Sequence, residues 1–65
     1  MTKTILPGMM FIDKVHRAID VVIFVDLHTV HFLNVKIIKQ ITITYIKTSK
    51  DNFQLLMDHF YDQIS

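Results

Sequence analysis

Val35-Lys36-Ile37-Ile38-Lys39-Gln40-Ile41-Thr42-Ile43-Thr44-Tyr45-Ile46-Lys47-Thr48 is the stretch whose reading decides the fold. Its odd positions read Val35, Ile37, Lys39, Ile41, Ile43, Tyr45 and Lys47, and its even positions Lys36, Ile38, Gln40, Thr42, Thr44, Ile46 and Thr48. That two-residue period belongs to a strand with one buried face, and it predicts a single long strand over 35–48. β-Branched side chains suit the pleated backbone, and Ile, Val and Thr together number twenty-two, concentrated between Val21 and Thr48. The sheet therefore extends upstream. From Ile19 to about His28 both parities are apolar, Val21, Ile23 and Val25 against Val22 and Phe24, as in a strand covered on both sides. Between the two strands, residues 29–34 hold no Asn-Gly or Gly-X pair. They read either as a loop or as strand continuing to a turn at Leu33-Asn34.

Downstream, Thr48, Ser49 and Asp51 are candidate N-caps, and Phe53, Leu56, Met57, Phe60 and Ile64 follow at helical spacing. The pattern predicts an amphipathic helix over 50–64 whose aromatic stripe lies on the sheet, with Asp51 placed to suit the helix dipole. Upstream, Met9, Ile12, His16 and Ile19 favour a helix over Gly8–Ala18, against a short strand around Met10 and Ile12. The expected fold class is α+β: an antiparallel sheet of long strands (19–28 and 35–48), a C-terminal amphipathic helix and an N-terminal helix. A lone hairpin is marginally stable, and a fourteen-residue strand would run roughly 45 Å and leave an open edge. Dimerisation that joins two hairpins into a four-stranded sheet answers both problems through one symmetric contact.

Composition narrows the function. Sixty-five residues and 7.7 kDa make one domain, 1–65, with no internal Pro, Gly or low-complexity boundary beyond Pro7-Gly8. Large multidomain enzymes are excluded. The chain is 51% hydrophobic with a mean hydropathy of +0.35, high for a small particle with proportionally more surface to keep polar. It has no cysteine, so neither disulfides nor thiolate metal sites can staple it. Self-association is the remaining means of covering apolar surface.

Six Lys, one Arg and six Asp give a net charge of +1, and the lysines are scattered singly from Lys3 to Lys50. A nucleic-acid binder needs a clustered basic face, so that class is disfavoured. Four histidines add charge as the pH falls through about 6.5, the ordinary imidazole value. The apolar stretch Thr4–Ile12 is broken by Pro7-Gly8 and has no small-residue cleavage site, so it reads as mature protein. The longest apolar runs, 21–25 and 41–46, fall far short of the roughly 20 residues of a membrane span, and the expected location is the cytoplasm. Ile, Lys, Asn, Phe and Tyr, whose codons are AT-rich, number twenty-five, against four for Gly, Ala, Arg and Pro together. That usage points to an AT-rich genome, such as a low-GC bacterium or one of its phages or mobile elements.

Asp26, His28 and His31 are the one cluster of metal-ligand types at close spacing, with Lys36 as a companion for an anionic group. No C-x-x-C or H-E-x-x-H spacing supports it, and loop or interface histidines are the simpler reading. The two serines, Ser49 and Ser65, sit at a helix cap and at the last position, Asp58 and His59 diverge on a helix, and a single glycine cannot build a phosphate loop. Catalysis is not expected, and neither is a cofactor. Three consecutive large apolar residues, Met9, Met10 and Phe11, cannot all face one core, which makes them partner-binding candidates together with Tyr45. The expected function is that of a small non-catalytic interaction protein, a homodimer that binds a host or cognate protein, in the manner of a phage or mobile-element antagonist. The alternative is a module for a small ligand or metal with its pocket at a dimer interface.

Overall fold

The computed structural model describes residues 4–65. Four strands follow one another as an antiparallel meander: β1 (Met10–Asp13), β2 (Ala18–Val25), β3 (Thr29–Ile37) and β4 (Ile41–Ser49). A helix, α1 (Lys50–His59), then crosses one face of the sheet and delivers a short strand, β5 (Tyr61–Gln63), to the free edge of β1. The sheet is five-stranded, in the order β4-β3-β2-β1-β5, and the fold is α+β as expected.

The stretch 35–48 is not one strand. Ile37 pairs with Ile41, so residues 38–40 form a turn, and the segment is the end of β3 plus most of β4. A three-residue connection brings the chain back with its parity unchanged, which is why the alternation runs through the turn without a break. Residues 29–34, open between loop and strand in the sequence, are the first two-thirds of β3. The turn before them is built by Asp26, whose Oδ1 accepts the backbone N–H groups of His28 (2.9 Å) and Thr29 (2.7 Å). Apolar residues at both parities of β2 have a local cause as well. The register slips by one between Val22↔Phe32 and Phe24↔His31, a bulge at Ile23 that exchanges the two faces.

The expected N-terminal helix is replaced by β1 and a turn. Asp13 Oδ1 accepts the N–H groups of Val15 (2.9 Å) and His16 (3.1 Å), satisfying locally the donors that a helix would have used. Arg17 then closes the turn in the left-handed region at φ 52°. At the other end α1 stops at His59, not at Ile64. Ser49 caps its start, accepting from Asn52 N at 3.1 Å. At its end the Phe60 carbonyl accepts from Lys14 N at 3.1 Å, while Tyr61 leaves the helix to enter the core.

That core lies between α1 and the sheet. Phe53 is fully buried, with its ring 5.6 Å from Phe11, 5.2 Å from Phe32 and 5.6 Å from Tyr61. Val22, Val30 and Met57 complete it. Phe11, expected at a partner surface, is 1% exposed and is a central core residue, because it shares its parity on β1 with Asp13 and points under the helix.

Candidate functional site

The helix does not lie on the apolar parity of the hairpin. Register places Lys36, Thr42, Thr44 and Ile46 on the helix side, and Val35, Ile37, Ile41, Ile43 and Tyr45 on the opposite face, which no element among the described residues covers. Across the strands this face forms continuous apolar rows. One row runs Met10–Val21–Leu33–Tyr45, the next Ile12–Ile19–Val35–Ile43, and Ile37 pairs with Ile41 beyond them. Ile37 (66%), Ile43 (60%) and Tyr45 (57%) are well exposed, while Leu33 and Val35 between them are half-buried by their neighbours. A sheet with two apolar faces needs a layer on each, and this one has a single helix.

One end of the open face is aromatic. Phe24 meets His31 edge-on at 5.1 Å, and His31 lies against Tyr45, its Nδ1 hydrogen-bonded to the Tyr45 hydroxyl. His31 Nε2 is shared between Thr29 Oγ1 (3.3 Å) and Asp26 Oδ2 (3.8 Å). Asp26 is held well below the usual carboxylate range, by Thr29 first and then by the His28 backbone. Those bonds account for the Asp26-His28-His31 cluster: Asp26 builds the turn and His31 orders the face. Among the described residues no group of three or more His, Cys, Asp or Glu side chains is placed to hold a metal ion. Asp26 and His31 of that set, 3.8 Å apart, are engaged in hydrogen bonds within the turn and the open face.

Of the residues singled out as partner-binding, Tyr45 and Met10 lie on the open face, Met9 packs half-buried against the core, and Phe11 is inside. Sequence reasoning missed the rows formed by Val21, Leu33, Val35 and Ile43, because it assigned the apolar parity to the interior. It also missed a buried polar group on the helix side. Asp20 is fully buried, its Oδ1 accepting from Asn34 Nδ2 at 2.6 Å, and its Oδ2 is left with no hydrogen-bond partner although the Tyr61 hydroxyl faces the same carboxyl. Desolvation pushes Asp20 up against the opposing pull of Tyr61 and Asn34, while burial and the Asp20 carboxyl push the Tyr61 hydroxyl up. Nearby Asp13 is also buried, and burial raises it. The His16 ring at 2.8 Å, with the backbone N–H groups of His16 and Val15, outweighs that and holds it below the ordinary range. The visible signal was a carboxylate at the inward parity of Ala18-Asp20-Val22, inside an otherwise apolar run.

Compared with protein-family models, with curated proteins and with solved structures, the chain matches none. Among the described residues no helix is long and apolar enough to cross a membrane.

Proposed function

We propose that this is a small non-catalytic interaction protein that self-associates through the open face of its sheet, two copies packing face to face with their helices outermost. The observation that carries the reading is the uncovered apolar face itself. Strands of four, eight, nine and nine residues at about 3.3 Å per residue and about 4.8 Å spacing give roughly 480 Å² per copy. Two such faces remove roughly 950 Å² from water, close to the threshold of about 1,000 Å² for a specific interface and the size of a weak, reversible one. Contiguous exposed apolar surface of that size marks an interaction site, and sheets stack in this way about 10 Å apart. The two central rows carry no charged side chain within β1–β4, and the charges of the face, Lys47 paired with His31 and Asp62 paired with Ile12, lie at its margins.

The edge-to-edge dimer suggested by the sequence loses one of its motives, since the fourteen-residue strand is a folded hairpin. Its contact moves from strand edge to sheet face. Face-to-face packing leaves β4 as an outer edge with unpaired backbone groups, where a strand of a cognate or host protein can add. The AT-rich residue usage favours a phage or mobile-element antagonist as the form this binding takes.

Light scattering over a concentration series tests the reading. The wild-type chain is expected at twice 7.7 kDa, and Ile43→Lys, which puts a charge in the middle of the apolar rows, is expected at the monomer mass with its circular dichroism unchanged. A wild-type monomer at all concentrations overturns self-association. A dimer that survives Ile43→Lys overturns the face-to-face geometry.

A further inference from the structure

The helix also leaves part of its own side of the sheet open. Its ten residues cover roughly 15 Å at about 1.5 Å per residue, and nine-residue strands run roughly 30 Å. Beside α1 this leaves a groove of about 630 Å³, within the range of small-molecule pockets. Leu56 and Phe60 of the helix and Ile46 of β4 give it apolar walls, while Asp20 and Asn34 lie on its sheet side.

Asp20 makes this more than a gap in packing. A fully buried carboxylate oxygen without a hydrogen-bond partner is costly, and native structures supply a donor to nearly all such groups. Among the described residues Asn34 serves only Oδ1, and the Tyr61 hydroxyl faces the carboxyl without closing a hydrogen bond to Oδ2. Asp13 cannot relieve the deficit, because it is itself an acceptor and its oxygens are taken up by His16 and Val15. The floor of the groove thus carries two carboxylates, one of them with an oxygen that neither Asn34 nor Tyr61 satisfies, and its walls are apolar.

We propose that the groove binds a small organic cation with an apolar body, an amidinium or primary amine whose N–H groups bond to Asp20 while the body lies against Leu56 and Phe60. Lys36, at the groove margin, disfavours the opposite orientation. This site is on the far side of the sheet from the self-association face and does not depend on it.

Benzamidinium and benzoate share one planar body and differ in the sign of their charge, which makes them the probes. In an NMR titration of the full chain at pH 7, benzamidinium is expected to shift the Asn34 side-chain amide and the Leu56 backbone amide along a saturating curve. Benzoate is expected to leave both in place. Asp20→Asn should weaken benzamidinium binding at least tenfold. Thr44→Trp, at an exposed position on the groove wall, should block binding without touching the core, and it keeps the test valid if the Asp20 variant fails to fold. Ile43→Lys should bind benzamidinium as the wild type does. No saturable shift with benzamidinium, equal binding of benzoate, or undiminished binding by both groove variants overturns the proposal.

Discussion

Asp20 occupies a position on β2 where the strand's other inward side chains are Ala18 and Val22. Its burial makes the protonated form the easier one to keep folded, so its carboxyl sits above the ordinary aspartate value of 3.8. A folded state that holds a proton more readily than the unfolded chain is favoured below the raised value, and it loses that advantage as the pH climbs from 3.8 through it. Asp13 works in the opposite sense. Its depressed value adds stability above 3.8 that is lost as the pH falls, so the two windows lie on either side of 3.8. Asp20→Asn, which keeps shape and polarity but cannot ionise, should therefore gain on the wild type as the pH is raised from about 4 to about 7, the range above the ordinary aspartate value. Thermal melts of both chains at each pH check this, since titrating groups not coupled to Asp20 cancel in the difference. A gap that instead widens in the variant's disfavour toward pH 7 would mean that the buried carboxylate stabilises the fold as a charge.

At the scale of elements, the legible features were those with a local cause. The helix start was legible because Ser49 is a capping residue, and its hydroxyl does accept from Asn52 N. Replacing it, Ser49→Ala, should cost about 1 kcal/mol, the usual value of such a cap. Urea denaturation of the two chains measures it, and an unchanged midpoint with an unchanged slope would show that the Thr48 hydroxyl, 2.8 Å from Asn52 Nδ2, is sufficient to hold the first turn. The illegible features were set by partners distant in sequence. Residues 38–40 contain neither Gly nor Asn, and an odd-numbered turn leaves no phase break, so β3 and β4 read as one strand. The end of α1 has no Gly or Pro either. It is ended by Tyr61, which fits between Phe11 and Phe53 only if the chain turns away to pair with β1. The helical spacing of Met9, Ile12 and His16 was real in the sequence, but Asp13 binding its own downstream N–H groups converts it to a strand and turn.

For the whole molecule the decisive point is which face the helix chose. The α+β class and the excess of apolar surface could both be read from composition and period. The assignment of that surface could not, because period alone says that two faces differ and not which one the helix covers. α1 lies over the parity that holds Val22, Val30 and Phe32, where β2 and β3 supply the bulk, and the Thr-rich side of β4 comes with them. Ile37, Ile41 and Ile43 are left outside. If a second copy covers them, association adds to the stability of the fold, and that stability must depend on concentration. A tenfold increase in concentration adds about 1.4 kcal/mol per dimer. For 65 residues per chain the unfolding entropy of two copies is roughly 0.27 kcal/mol per kelvin, so the melting temperature should rise by about 5 °C per tenfold. Calorimetry at three concentrations a decade apart reads this directly. Ile43→Lys should show a melting temperature independent of concentration, because its monomer unfolds alone. A wild-type chain that is equally flat would mean that the open face contributes nothing to the stability of this protein in isolation, and that the layer it lacks comes from a different protein.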